Sequence, residues 1–167
     1  AVEQVRPLID ARRHELHCEI ASGTLRVEGD RTRLIQVVSN ILNNAAKYTA
    51  PGGCIVLSAR IESGSVRVAV RDNGQGLDPP ILPYIFDLFI QAERTPDRSQ
   101  GGLGLGLALV KSLAVLHGGR VEAHSEGLGE GSEFVVFLPC QAEAPAASTP
   151  RLAVESRGAR GLKVLVV

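Results

Sequence analysis

Between Thr32 and Lys47 the apolar residues Leu34, Val37, Val38, Ile41, Leu42 and Ala45 recur at intervals of three and four, with no glycine or proline among them. That period describes one face of an α-helix laid on a core. Asp30 stands where a capping side chain accepts the first free backbone amides, and Ala50-Pro51-Gly52-Gly53 closes the run. Opposite the apolar stripe, Asn40, Asn44 and Lys47 fall within roughly 60° of one another at about 100° per residue. Any fold built on this chain must bury one side of this helix and leave three polar side chains on the other.

The rest of the chain supplies the partners for that helix. Val2, Val5, Leu8 and Ile9 predict a helix over 2–14, in which Pro7 has to occupy the first turn or break the segment. Leu16, Cys18 and Ile20 alternate with His17 and Glu19 as in a half-buried strand, and a short extended piece, Leu25-Arg26-Val27, follows. Strands are predicted over 54–60 and 65–71, joined by Glu62-Ser63-Gly64, with Val66, Val68 and Val70 facing one way. A helix over Leu105–His117 ends at Gly118-Gly119, and strands over 120–125 and 133–138 flank a Gly127–Gly131 turn. The stretch from Asp72 to Gly106 is rich in Gly and Pro around an apolar knot, Ile85-Phe86-Asp87-Leu88-Phe89-Ile90. Its length, about 30 residues, is unusual for a plain connection in a compact domain and typical of a functional lid or a disordered segment.

Composition limits the possible roles. With 18 Lys+Arg against 18 Asp+Glu in 167 residues, the chain has no net charge to draw it to nucleic acid or anionic membrane, so any phosphate chemistry has to be local. No apolar run approaches the roughly 18 residues that span a bilayer, and no signal peptide is visible. Three Cys without metal-ligand spacing, Cys18, Cys54 and Cys140, are expected to be reduced thiols of a soluble cytoplasmic protein. The absence of Met even at position 1 suggests an excised part of something longer.

Chemistry is concentrated in a few short stretches. Two asparagines in a helix interior are poor helix formers, so exposure alone would favour Glu, Lys or Gln at their positions. Carboxamide oxygens suit a hard cation such as Mg²⁺, and a Lys one turn further on suits a phosphate. Asp72-Asn73-Gly74-Gln75-Gly76 follows a strand. It is read most simply as an Asp-initiated turn, but its carboxylate can also accept a hydrogen bond from an exocyclic amine while a flat base lies on the glycine backbone. Gly101-Gly102-Leu103-Gly104-Leu105-Gly106-Leu107 opens a helix, where amides without side chains form an anion site or, alternatively, a flexible hinge. A dinucleotide fingerprint does not fit, because Leu107 stands where its last glycine is required and no strand precedes the run. A P-loop is excluded because no G-x-x-x-x-G-K-[ST] occurs.

The order of these stretches resembles the GHKL superfamily of ATP-binding domains, and within it the catalytic and ATP-binding domain of sensor histidine kinases. Asn40-Ile41-Leu42-Asn43-Asn44-Ala45-Ala46-Lys47-Tyr48-Thr49 is similar to that family's N box and Asp72-Asn73-Gly74-Gln75-Gly76-Leu77 to its G1 box. Ile85-Phe86-Asp87-Leu88-Phe89 is similar to its F box and Gly102-Leu103-Gly104-Leu105-Gly106-Leu107 to its G2 box. The resemblance covers roughly residues 1–140 and implies an α/β two-layer sandwich of the Bergerat type. In that fold a mixed sheet is backed by helices, and ATP is held under a lid, here about 77–103.

By that resemblance Asn44 is the Mg²⁺ ligand, with Asn40 one turn before it, and Lys47 and Tyr48 reach the phosphates. Asp72 takes the adenine amino group, Gly74, Gly76 and Leu77 admit the base, and Ser132 lies near the same edge. Gly102, Leu103, Gly104, Leu105, Gly106 and Leu107 hold the nucleotide from the helix start, and Arg94 and Arg98 in the lid meet the phosphates. Phe86 and Phe89 anchor the lid on the core. The implied reaction transfers the γ-phosphoryl group of Mg-ATP to a histidine on a separate dimerisation domain, through which alone the protein would dimerise.

That acceptor is expected upstream of Ala1, since His14, His17, His117 and His124 all lie outside the expected setting. His117 is read as a helix C-terminal residue. An ATPase clamp or a serine-directed kinase of the same fold is the alternative, but the clamp's Glu base is replaced here by Asn40, and an amide cannot take a proton from water. Residues 141–161 read as a linker, and Leu162-Lys163-Val164-Leu165-Val166-Val167 as the cut first strand of a receiver domain. The partners expected are therefore ATP, the acceptor domain and a receiver or response regulator, and no nucleic acid. The parent protein is expected to be cytoplasmic or anchored in the inner membrane.

Overall fold

The computed structural model describes residues 1–22, 25–90 and 104–140. Helix α1 spans Val2–Ala11, followed by strand β1, Glu15–Ile20, and helix α2, Arg31–Tyr48. Strands β2, Cys54–Glu62, and β3, Ser65–Asp72, form a hairpin. A 3-10 segment, Pro79–Tyr84, leads away from it, and helix α3, Gly106–Leu116, then precedes β4, Arg120–His124, and β5, Ser132–Pro139. The five strands form one sheet in the order β1-β2-β3-β5-β4. β1 and β2 are parallel, with α2 in the crossover that a parallel pair requires, and the other neighbours are antiparallel. A lone antiparallel bridge joins Val27 to Cys140. Among the described residues no helix is long and apolar enough to cross a membrane, and Cys18 and Cys54 are free thiols.

α2 forms where its period predicts. The Asp30 carboxylate accepts the backbone amides of Thr32 at 2.7 Å and Arg33 at 3.1 Å, a full N-cap. These bonds, that from Arg33 first, hold the Asp30 carboxyl below its ordinary value of 3.8. Val37, Ile41, Leu42, Ala45 and Ala46 are buried against Ile55 and Leu57 of β2, Val70 of β3 and Phe134 and Val136 of β5. α1 adds Val5 and Ile9 to that core, and α3 adds Val110, Leu113 and Ala114. Removing a fully enclosed side chain such as Leu42 from it would cost about 2–5 kcal/mol.

Three local expectations are corrected. α1 ends at Ala11 and runs through Pro7 without breaking. Pro7 lacks the amide that would bond the Glu3 carbonyl, but both residues are exposed, so water can take its place. On β1 only Leu16 is half-buried, whereas Cys18 and Ile20 are exposed, because β1 is the sheet's edge strand and only Leu16 packs on the core. Of the two lid phenylalanines, Phe86 meets Phe134 edge-on at 6.1 Å, whereas Phe89 is 70% exposed. The chain bends at Phe89 with φ 64°, which turns its backbone toward Gly104 and its ring outward.

Candidate functional site

The cleft of interest opens where the ends of β3 and β5 meet α2 and the start of α3. Its volume is about 690 Å³, a common size for a small-molecule site. Asp72 and Ser132 are opposite each other in the β3–β5 ladder, and the Ser132 hydroxyl donates to Asp72 Oδ2 at 2.7 Å. Asp72 Oδ1 accepts the Gly74 amide at 2.9 Å. The carboxylate is 6% exposed, yet each oxygen keeps acceptor capacity for a further donor.

The turn that follows is shaped by close backbone contact. Gly76 has φ +68°, and a Cβ there would collide with the Gly127 carbonyl. Gly74 backs the turn away from the cleft, since a Cβ would meet the Tyr48 carbonyl at 2.5 Å. Gln75 donates its amide to the same carbonyl at 3.1 Å, which ties the turn to the end of α2.

α2 contributes Asn44 and Lys47, both half-buried and both lining the cleft, with the more exposed Tyr48 beside them. The Lys47 ammonium sits 3.3 Å from the Tyr48 hydroxyl and 4.8 Å from its ring centre, a loose arrangement on an exposed side chain. Asn40 does not line the cleft. Its amide reaches the Gly106 carbonyl at 3.4 Å and so links α2 to the first turn of α3. At that turn Gly104, Leu105, Gly106 and Leu107 all face the cleft, and α3's free amides begin there.

Of the residues expected from the sequence, the cleft thus gathers Asn44, Lys47, Tyr48, Asp72, Gly76, Leu77, Gly104, Leu105, Gly106, Leu107 and Ser132. Arg94, Arg98, Gly102 and Leu103 lie outside the described residues, as do the linker at 141–161 and the strand at 162–167. Sequence reasoning missed Leu8 of α1, Arg12 just after it, Asn43, Gln75, Ile85, Ile90 and Phe134 as lining residues. Gln75 lies between two glycines already singled out and was within reach of that reasoning. Ile85 and Phe134 carry no such signal, because an apolar wall and a core position look alike in sequence. Arg12 comes to the site from the C-cap of α1, and its Nη1 donates to the Lys47 carbonyl at 2.9 Å and the Thr49 carbonyl at 3.3 Å.

None of the four histidines belongs to the cleft. His14 is buried with Nε2 against the Ala46 carbonyl at 2.9 Å. His117 caps α3: Nδ1 donates to the Leu113 carbonyl at 2.7 Å, and Nε2 accepts the Asp30 amide at 3.1 Å. Among the described residues no trio of His, Cys, Asp or Glu could hold a metal ion. A cation here would rest on a carboxamide such as Asn44 together with oxygens of its ligand, the manner in which Mg²⁺ is held on phosphates.

This fold and cleft define a nucleotide-binding domain, and comparison with known proteins agrees. Residues 29–142 match the model of the histidine kinase-, DNA gyrase B-, and HSP90-like ATPase family, and the chain belongs to that family. Among curated proteins, the sensor protein DivL of Caulobacter vibrioides is 43% identical over 137 residues, which are 82% of this chain and 16% of that protein. The mycobacterial sensor histidine kinase MprB superposes with a TM-score of 0.73 at 28% identity, covering 83% of this chain and 92% of that structure. Full-length ShkA in complex with AMPPNP superposes with a TM-score of 0.73 at 32% identity, covering 86% of this chain and 29% of that one. The mixed sheet backed by helices is thus that of histidine kinase catalytic domains. The chain spans less than a third of the first curated sensor kinases it matches.

Proposed function

We propose that this chain is the catalytic and ATP-binding domain of a sensor protein-histidine kinase, which binds Mg-ATP and presents its γ-phosphoryl group to a histidine on a separate dimerisation domain. The observation that carries this reading is the convergence in one cleft of Asp72 with Ser132, Asn44 with Lys47, and the amides that open α3. An acceptor carboxylate, a cation ligand and an anion site are the groups that an adenine, a metal and a phosphate chain need, in that order. The residues therefore fit Mg-ATP. When bound, Mg²⁺ would offset phosphate charge and orient the leaving group.

In this assignment Asp72 accepts the adenine amino group, with Ser132 steadying the carboxylate, and the base lies on Gly76 and Leu77. Asn44 holds the metal. Lys47, Tyr48 and the amides at Gly104–Leu107 hold the phosphates. Asn40 keeps the start of α3 in place. Its amide cannot act as a general base toward water, which favours transfer to an imidazole over hydrolysis. The protein contributes positioning and charge stabilisation, and the acceptor imidazole is the nucleophile. ATP is a cytoplasmic substrate, so the domain works on that side of the membrane whether or not the whole protein is anchored. On their sequence alone, residues 141–161 are read as a linker and 162–167 as a strand of receiver-domain type.

The test uses radiolabelled ATP with the chain alone and with the parent protein's own acceptor domain added. Nucleotide binding by the chain alone, with label on histidine only after the addition, is the expected result. Release of phosphate to water with no labelled histidine would overturn it in favour of an ATPase.

A further inference from the structure

One hydroxyl outside the cleft holds the base-facing turn in place. The loop between β4 and β5 lies against the turn after β3 through main-chain bonds, from the Gly129 amide to the Gln75 carbonyl at 2.7 Å and from the Gly131 amide to the Gly74 carbonyl at 3.1 Å. Ser125 adds the side-chain tie. Its Oγ accepts the Leu77 amide at 2.9 Å and the Gly127 amide at 3.3 Å. Its proton goes to the Gly131 carbonyl at 2.7 Å, the nearer of two carbonyls within reach, the other being Gly127 at 3.2 Å. With two acceptances and one donation the hydroxyl's capacity is fully used. Ser125 does not line the main cleft, but Gly76, Leu77 and Ser132, which its bonds hold or adjoin, do.

We propose that Ser125 is a positioning residue for base recognition: it fixes the Gly76–Leu77 backbone at the distance from Asp72 at which an adenine ring fits between them. This deepens the nucleotide reading above and rests on it. Without the hydroxyl, the Leu77 amide loses its partner and Gly127 is no longer tied to Gly131. The Gly127 carbonyl, which occupies the space beside Gly76, is then free to shift. The phosphate end of the cleft is built on α2 and α3, with no bond to Ser125, and should be unaffected. A role in stability alone would weaken all ligands alike or none.

The experiment measures binding of ADP, GDP and inorganic tripolyphosphate to the 167-residue chain in Mg²⁺ buffer, for the unaltered protein, Ser125→Ala and Ser125→Thr. For Ser125→Ala the preference for ADP over GDP should fall about tenfold while tripolyphosphate affinity stays within about twofold, the scale of a lost hydrogen-bonded tie. Ser125→Thr, which keeps the hydroxyl, should retain the preference, and the Leu77 amide should exchange faster in Ser125→Ala only. Should Ser125→Ala fail to fold, Ser125→Cys, with its weaker hydrogen bonding, carries the same comparison. An unchanged preference in the altered protein, or a parallel loss for all three ligands, overturns the proposal. If the unaltered protein itself shows no preference for ADP, the nucleotide reading fails and this proposal falls with it.

Discussion

Asp72 and Ser132 are partners twice over: their Cα positions are opposed at the ends of β3 and β5, and the Ser132 hydroxyl donates to Asp72 Oδ2 at 2.7 Å. The ladder brings the serine to the carboxylate, and the hydroxyl then fixes which way the carboxylate faces. In Asp72→Asn a donor amide replaces one of two acceptor oxygens, so a ligand amine loses its charged partner. The affinity for an ATP analogue should fall by about 2 kcal/mol, or roughly thirtyfold. Ser132→Ala keeps the charge and should cost about 1 kcal/mol, or roughly fivefold. Calorimetry distinguishes the two, and unchanged affinity in Asp72→Asn would refute the adenine assignment.

Asn44 lines the cleft one turn before Lys47, beside the more exposed Asn43. As the metal ligand it should make nucleotide binding Mg²⁺-dependent. The unaltered chain should bind an ATP analogue about tenfold more tightly with Mg²⁺ than with a chelator, and Asn44→Ala should bind equally in both. Retention of the full Mg²⁺ dependence in Asn44→Ala would move the metal site elsewhere.

Gly76 combines φ +68° with a Cβ direction filled by the Gly127 carbonyl. Ala at this position pays the left-handed cost and must also displace backbone, together about 2–3 kcal/mol. The melting temperature of Gly76→Ala should fall by about 5–12 °C, and nucleotide binding should weaken even below the melting range. Gly64→Ala has a similar φ of +76° but nothing within 4 Å of the added Cβ, so it should lose stability by strain alone and keep its affinity. Equal effects at both positions would show that crowding against Gly127 is unimportant.

These contrasts indicate what a sequence can and cannot convey. α2 is legible because its cap and its apolar period are both local, and they agree. The turn from Asp72 to Gly76 is legible because its glycines serve a backbone need that other residues meet poorly. Pro7 misleads because tolerance of a proline depends on whether the orphaned carbonyl meets water, which is a tertiary fact. Cys18 and Ile20 mislead because alternation marks two faces of a strand without telling whether anything covers either one. In the cleft, Ile85 and Phe134 escape notice since apolar lining and core share a code, and Arg12 and Ser125 act through bonds that become visible only when distant loops are brought together.

The N-cap of α2 offers a pH test with a defined sign. Asp30 has its carboxyl held below 3.8 in the folded chain, chiefly by the Arg33 amide. A group depressed on folding adds stability that is fully present above its unfolded value and is lost as pH falls through its folded value. Asp30→Asn keeps an acceptor for the Thr32 and Arg33 amides but carries no charge, so it should be less stable than the unaltered chain at pH 7. That gap should close as the pH is lowered past 3.8. Urea midpoints for both proteins from pH 7 to pH 3 measure it, with other titrations cancelling in the difference. A gap that stays constant, or widens toward acid, would show that the charge on Asp30 does not stabilise the helix bearing Asn44 and Lys47.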